Sequence, residues 1–252
     1  MKKIIAVANQ KGGVGKTTTT VNLAACLAEN NERVLMIDTD PQGNATCGFS
    51  INKVEQEKTI YELLLGEVSI KECIIKDEKT GVSIIPANVN LAAAEIELIG
   101  IEDKEYILSK EIEYIMDDFD YILIDCPPAL NTLTLNAMTT ANSVIVPIQC
   151  EYLALEGLSD LITTINLVRE RLNPRLDLEG IVFTMYDSRT LLSQDVVENV
   201  KAHFPDKIYE TKIPRNVRLS EAPSYGMPIT LYDTKSVGAE KYRELAKEVM
   251  KR

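Results

Sequence analysis

Lys11 and Lys16 bracket three glycines in the run Gln10-Lys11-Gly12-Gly13-Val14-Gly15-Lys16-Thr17-Thr18. Glycines let a backbone turn tightly and aim successive N–H groups into one concavity, which suits a phosphate. The run follows an apolar stretch, Ile4–Ala8, and opens an amphipathic one, Val21–Leu27. A strand, a glycine loop and a helix start, in that order, turn the helix's unpaired donors and positive dipole end toward the same phosphate. In that setting Lys16 meets the β- and γ-phosphates and the Thr17 hydroxyl ligates Mg²⁺. Gly12, Gly13, Val14, Gly15 and Thr18 complete the cradle. The strict pattern G-x-x-x-x-G-K-[ST] asks for glycine where Gln10 stands, so the loop is a variant, and its second lysine, Lys11, sets it apart. Thr17 to Thr20 put four β-branched residues in the first helical turns, where propensity disfavours them. A local conflict of that kind marks a site.

Carboxylates follow two other apolar runs. Val34–Ile37 leads into Asp38-Thr39-Asp40-Pro41-Gln42-Gly43-Asn44, and Tyr121–Ile124 leads into Asp125-Cys126-Pro127-Pro128. An aspartate at a strand end is by itself a common turn former. About 110 residues after a glycine loop, it reads instead as a second nucleotide-binding signature that holds Mg²⁺, usually through water. Asp38 and Asp40 lie two apart on one loop, so one supports the metal shell while the other positions water. Asp40, further into the loop, is assigned to water and Asp38 to metal. A turn-only role for Asp40-Pro41 competes with this.

The elements that must hold these groups alternate along the chain. Ile4–Ala8, Val34–Asp38, Val82–Ile85, Tyr121–Asp125, Ser143–Pro147 and Ile181–Met185 read as strands, short and rich in Ile and Val. Such runs fit parallel strands covered on both faces. Helical patterns cover Thr17–Glu29, Ile60–Leu65, Leu91–Ile99, Lys104–Met116, Leu130–Thr140, Leu155–Leu172, Leu191–His203 and Gly238–Lys251. The alternation implies a doubly wound α/β fold with a mostly parallel sheet and helices on both faces. Residues 1–252 are expected to form a single nucleotide-binding domain. The least regular part, Asn44–Val82, is expected at the sheet's edge.

Composition narrows the chemistry. One histidine, His203, leaves little room for histidine catalysis or histidine metal sites. Cys26, Cys47, Cys73, Cys126 and Cys150 are scattered without a C-x-x-C pair, which fits a reducing cytoplasm and small buried hydrophobes. No apolar run approaches a membrane span. The net charge of −11 argues against coating nucleic acid indiscriminately, so any nucleic-acid contact must be a local patch.

Taken together, these segments resemble the ParA/Soj family of chromosome- and plasmid-partition ATPases, within the wider deviant Walker A group that includes MinD and the nitrogenase iron protein. Two further segments carry the resemblance to the end of the chain: Thr184-Met185-Tyr186-Asp187-Ser188-Arg189-Thr190, and Ile213 to Ser224 with Pro214-Arg215-Asn216-Val217-Arg218. The resemblance implies ATP and Mg²⁺ as ligands. It implies that Lys11 reaches across a dimer to the partner's phosphates, so that Lys11, Lys16 and Asp40 carry catalysis. It puts the adenine near Pro214, which packs on the base, and Asn216, which hydrogen-bonds to it. Long plasmid members carry an N-terminal DNA-binding extension, whereas this chain opens at its first strand, so operator binding is not expected.

The family further implies a homodimer in the ATP state, non-specific DNA binding by that dimer, and slow hydrolysis stimulated by the basic tail of a ParB-like partner. It also implies a cytoplasmic, nucleoid-associated protein with no membrane contact. Arg189, Arg215 and Arg218 are candidate DNA contacts, followed by the last helix. There Arg243, Lys247 and Lys251 recur every four residues, although a solvated helix laced with ion pairs explains the same spacing. Three alternatives remain. A MinD-like membrane switch needs an apolar, basic tail beyond Val249-Met250-Lys251-Arg252. An iron–sulfur ATPase needs bridging cysteines, and only Cys126 lies near the site. A nucleotide-gated scaffold with little hydrolysis is indistinguishable by sequence.

Overall fold

The computed structural model describes residues 2–151 and 154–252. Seven strands form one sheet: β1 Lys3–Val7, β2 Val34–Asp38, β3 Ile75–Lys76, β4 Ser83–Ile85, β5 Tyr121–Asp125, β6 Ser143–Gln149 and β7 Asp177–Thr184. Their order across the sheet is β3-β4-β2-β5-β1-β6-β7. Every pairing is parallel except β3 with β4, an antiparallel edge.

Side chains alternate across a strand, and that alternation divides the core in two. Ile4, Ala6, Leu35, Ile37, Ile122 and Ile124 face one layer, packed with the helices Leu91–Glu97, Thr132–Thr140 and Ala154–Arg171. Ile5, Val7, Met36, Leu123 and Ile145 face the other, against the helices Lys16–Glu29 and Val237–Lys251. Both faces are covered, as the uninterrupted apolar runs of the inner strands require. In the last helix Tyr242, Leu245 and Val249 are buried, the apolar stripe its sequence spacing implies.

The topology brings the site together. β5 inserts between β1 and β2, so Val7 and Asp38 both pair in register with Asp125. The loops after β1, β2 and β5 therefore leave one edge of the sheet side by side, where ligands of open α/β sheets bind.

Departures from the expected elements have local causes. The helix expected over Lys104–Met116 is a 3₁₀ turn, Lys104–Tyr106, followed by the helix Ile107–Ile112. Beyond it, Tyr114 N–H and Ile115 N–H donate three residues back rather than four, so the helix tightens and ends. β7 begins four residues earlier than expected and stops before Met185, whose φ of 49° turns the chain out of the sheet. The Asn44–Val82 segment does lie at the edge but is more regular than expected. It contains the short helices Asn44–Cys47, Ile60–Leu64 and Ile70–Cys73, and then β3. Two of them start with capping boxes, Thr59 with Glu62 and Ser69 with Glu72, which hold them without long apolar periodicity.

Gly43 shows how closely the edge loops pack. Its φ is +60°, and a Cβ there would lie 2.6 Å from the Ala87 carbonyl oxygen. Gly43→Ala is therefore expected to destabilise the protein by about 2 kcal/mol, from strain and forced movement of two backbones. Urea unfolding followed by circular dichroism measures this; an unchanged midpoint would show that the two loops are not held against each other.

Candidate functional site

The glycine loop closes around its own lysine. Gly13 and Gly15 take φ values of 77° and 85°, which a side chain would resist. Gly15 is also the N-cap of the helix Lys16–Glu29. Asn9 braces the loop's entry: its Oδ1 accepts from Lys11 N–H at 2.9 Å and its Nδ2 donates to the Pro147 carbonyl at 2.8 Å. Thr184, at the end of β7, donates its hydroxyl to the Val14 carbonyl at 2.7 Å. Lys16 is buried, and its Nζ donates to the Lys11 carbonyl at 3.0 Å, folding back over the loop. Burial pulls its pKa below the ordinary lysine value, opposed by the nearby Asp125 and Asp40 carboxylates. Lys11 points away and pairs with Glu151; both side chains are about half exposed.

The four threonines divide among three neighbours. Thr17 and Thr20 donate to the two oxygens of Asp125, at 2.8 and 2.9 Å. Thr18 lines the cavity beside the loop, and Thr19 lies 3.3 Å from the Tyr242 hydroxyl in the C-terminal helix. The poor helical propensity of the run is offset by these contacts.

Asp38 and Asp125 sit side by side at the ends of β2 and β5, and neither side chain reaches solvent. Asp38 Oδ2 accepts from the N–H and the hydroxyl of Thr46, both at 2.8 Å, and its Oδ1 accepts from Asp40 N–H at 3.1 Å. Burial raises the pKa of both carboxyls; for Asp125 the charge of Asp38 adds to it, and the hydroxyls of Thr17 and Thr20 oppose it. Asp40 lies further along the loop, with its Oδ1 accepting from Gln42 N–H at 2.9 Å. That bond is the turn its Asp-Pro sequence also suggested. Cys126 is buried beside Asp125; Cys47 is half buried, the other cysteines are fully buried, and all five are free.

Pro214 and Asn216 meet the glycine loop across a cavity of about 310 Å³, whose other walls include Gly15, Thr18, Met185 and Tyr242. Asn216 caps the helix Val217–Glu221 by accepting from Leu219 N–H at 3.3 Å, which leaves its amide N–H groups for the cavity. Two sites far apart in sequence are thus adjacent in the fold.

The proposed DNA contacts divide. Arg189 and Arg215 both flank Asp187, whose carboxyl is held down to about 2, first by hydrogen bonds from Arg189. Arg218 is paired with Glu221 and Asp233. The cationic stripe expected along the last helix is broken at Arg243, which makes two hydrogen bonds to Glu29 and two to Thr234. Lys247 and Lys251 instead line an open groove of about 650 Å³ with Lys212 and Lys241, edged by Glu210, Glu244 and Glu248. Helical spacing gave all three residues one face, but the helix Lys16–Glu29 lies close enough to claim the first of them.

Sequence spacing marked Thr20 without its partner and overlooked Thr39, Thr46, Asn9 and Thr184. Thr39 donates its hydroxyl to the Asp125 carbonyl at 2.6 Å, joining the two strand ends. Only the unusual density of threonine around the glycine loop hinted at such a role.

A glycine loop at the end of β1, a buried lysine and a pair of buried carboxylates on a doubly wound sheet define a P-loop nucleoside-triphosphatase. A model described as an AAA domain matches residues 2–178. The sporulation initiation inhibitor protein Soj of Bacillus subtilis is 53% identical over 99% of this chain and 98% of its own length. The chromosome partitioning protein ParA of Caulobacter vibrioides is 51% identical over 99% of this chain and 94% of its own. Among solved structures, a Mycobacterium smegmatis protein described as cobyrinic acid a,c-diamide synthase, with bound ADP and magnesium, is 39% identical with a TM-score of 0.86, covering 100% of this chain and 95% of that one. The chain belongs to the Soj/ParA family of chromosome-partitioning proteins.

Replacing a buried carboxylate by its amide removes the charge and keeps the shape. Asp125→Asn is expected to raise the melting temperature of the ligand-free protein by about 2–4 °C, the size of roughly 1 kcal/mol at this length. Differential scanning calorimetry reads it, and a lower melting temperature would mean that the charge is fully compensated by Thr17 and Thr20.

Proposed function

We infer that the chain is a partition ATPase whose Mg-ATP state closes a homodimer, binds DNA without sequence preference, and is returned to the ADP state by a ParB-like partner. The observation that carries this reading is the buried Asp38–Asp125 pair set beside Lys16 and Thr17. Two adjacent carboxyls whose ionised forms are disfavoured by burial and by each other form a site in which a divalent ion would stabilise the charged state. The ADP and magnesium in the Mycobacterium smegmatis structure support the same ligands here.

In this reading the loop N–H groups of Gly12, Gly13, Val14 and Gly15 receive the phosphates. Lys16 exchanges the Lys11 carbonyl for β- and γ-phosphoryl oxygens. Thr17, Asp38 and Asp125 would hold Mg²⁺, Thr17 through its hydroxyl and the carboxylates through water. When bound, Mg²⁺ neutralises charge on the β- and γ-phosphoryl oxygens. Asp40 positions the water that attacks the γ-phosphorus, giving ADP and phosphate. Thr18 and the cavity of Pro214 and Asn216 take the nucleoside, the proline against the base and the asparagine amide donating to a ring nitrogen.

Lys11 acts on the opposite subunit's nucleotide, meeting the charge that develops on the transferred phosphoryl. Its pairing with Glu151 does not oppose this strongly, because an ion pair so exposed is worth about 0–1 kcal/mol. Hydrolysis is slow in the isolated protein, because the sequence carries no recognisable cis arginine finger and the remaining stimulation comes from the partner. Among the described residues no helix is long and apolar enough to cross a membrane. DNA contact falls to Arg189 and Arg215, with the lysine groove beside Lys247 and Lys251; Arg189 also pairs with a carboxylate, Asp187, but its side chain stays 87% exposed, whereas Arg218 is shared by Glu221 and Asp233 and Arg243 is drawn down against Glu29. Two-fold symmetry doubles the patch and ties DNA binding to dimerisation. Within the cell this corresponds to a cytoplasmic protein associated with the nucleoid.

Asp40→Ala is expected to slow turnover and trap the ATP state. Light scattering after size exclusion should show a dimer with Mg-ATP and a monomer with Mg-ADP or without nucleotide; a monomer throughout would remove the role given to Lys11. Under saturating Mg-ATP, and with the ATP dimer verified by light scattering because Arg215 also borders the nucleoside cavity, Arg189→Glu combined with Arg215→Glu should weaken ATP-dependent DNA binding at least tenfold and flatten its salt dependence, whereas Arg243→Gln should leave it near wild type. Gel-shift titrations across salt concentrations decide this, and an unaffected double variant would move the patch elsewhere.

A further inference from the structure

The helix Leu91–Glu97 is apolar on both sides. Its inner face, Leu91, Ala94 and Leu98, is fully buried against the sheet. Helical winding extends beyond its ends, with Ala92 N–H donating to the Val89 carbonyl and Ile99 N–H to that of Ile96. Val89, Ala92, Ile96 and Ile99 consequently share the outer face at spacings of three and four. Val89 is 73% exposed, Ile96 72% and Ile99 70%. One exposed apolar side chain is ordinary, but three β-branched ones in a row on a single helix face form a patch that calls for a partner.

The charge around the patch selects the occupant. From Val82 to Asp103 the chain carries Glu95, Glu97, Glu102 and Asp103 and no lysine or arginine. Glu55 and Glu57 approach its start, since the Gln56 carbonyl between them accepts from the Asn88 amide at 3.4 Å. DNA and anionic lipid are repelled by such a rim, and a second copy would set two identical acidic rims together. A segment with apolar anchors flanked by lysine or arginine is complementary on both counts.

The same helix is tied to both buried carboxylates. At its start, Ala87 N–H donates to the Thr46 hydroxyl at 2.9 Å, and that hydroxyl donates to Asp38 at 2.8 Å. On its flank, the side-chain amide of Asn131 donates to Glu95. Asn131 caps the helix Thr132–Thr140, at the end of the loop that leaves Asp125. A change at Asp38 therefore has a hydrogen-bonded route to the patch, and a change at Asp125 reaches it along the loop to Asn131 and from there by the bond to Glu95.

We propose that the outer face of the helix Leu91–Glu97, with Val89, Ile96 and Ile99 as its apolar floor, docks a basic amphipathic segment of a partner protein, and that the Asp38–Thr46–Ala87 and Asp125–Asn131–Glu95 connections couple this docking to the nucleotide site. The inference rests on reading the chain as a nucleotide switch served by a basic partner.

The test uses a fluorescein-labelled peptide of the basic N-terminal tail of a ParB-like protein, and a control peptide with its Lys and Arg changed to Glu. Fluorescence anisotropy with Mg-ATP present is read for wild type, Val89→Glu and Ile96→Glu, together with ATP turnover, melting temperature and light scattering. The wild type should bind the basic peptide and not the control, and each variant should raise Kd at least tenfold and lose stimulation. Both variants should keep wild-type basal turnover, melting temperature and ATP-dependent dimer. Variants that bind and respond like wild type would overturn the surface while leaving the basic partner in place. A wild type that neither binds nor responds to the peptide would overturn the partner reading and the surface with it. Loss of the ATP dimer in Ile96→Glu would assign the face to a second copy and overturn the proposal.

Discussion

Two carboxylates buried side by side are the constraint on which the rest of this structure depends. Asp38 and Asp125 are register partners on adjacent parallel strands, and neither reaches water. Like charges so placed repel, and burial removes the solvation that would relieve them. The surrounding chain compensates with donors: Thr17 and Thr20 to Asp125, Thr46 and the Asp40 amide to Asp38. This leaves a residual demand for positive charge, which Lys16 only partly meets. A protein could avoid the conflict by one leucine. Its presence at the mouth of a glycine loop makes sense where a ligand supplies the missing charge.

That demand also explains why the surrounding loops are so closely tied. Thr39 links the two strand ends, Thr184 ties β7 to the glycine loop, and Thr46 joins the Asp38 loop to Ala87. A shift of either carboxylate is then felt at several elements at once, because packed loops with satisfied hydrogen bonds move between discrete arrangements rather than yield gradually. The apolar face of the helix Leu91–Glu97 lies at the end of one such connection, through Thr46 and Ala87, and of the loop from Asp125 to Asn131, which is tied to it at Glu95.

Electrostatics act locally against a strongly acidic background. The chain carries a net charge of −11, yet Arg189, Arg215 and four lysines gather near β7 and the C-terminal helix. Several basic residues, inside that cluster and beside it, are held by carboxylates of their own chain: Arg189 by Asp187, Lys241 by Glu244, Arg243 by Glu29 and Arg218 by Glu221 and Asp233. Counting charges along a helix overstates a patch wherever a neighbouring element supplies counter-ions.

The order of strands and helices, the glycine loop and the aspartates at strand ends were legible in the sequence because each is set by local chemistry. Short uninterrupted apolar runs, glycines that permit positive φ, and a lysine beside a helix start all act within a few residues of themselves. β2 and β5 were read with the bounds the structure has, Val34–Asp38 and Tyr121–Asp125, since uninterrupted apolar runs end abruptly at a carboxylate. The edge strand β3 and the capped helix Ile70–Cys73 escaped, being too brief for periodicity to register, whereas the capped helix Ile60–Leu64 was read to within one residue. What only the tertiary structure decided is adjacency. That β5 enters between β1 and β2, that Thr46 reaches back to Asp38, that Asn216 faces Gly15, and that Arg243 is taken by Glu29 are all relations between distant segments. Spacing along a chain carries no record of which elements will pack together, because packing is settled by the burial of whole faces rather than by any one residue's preference.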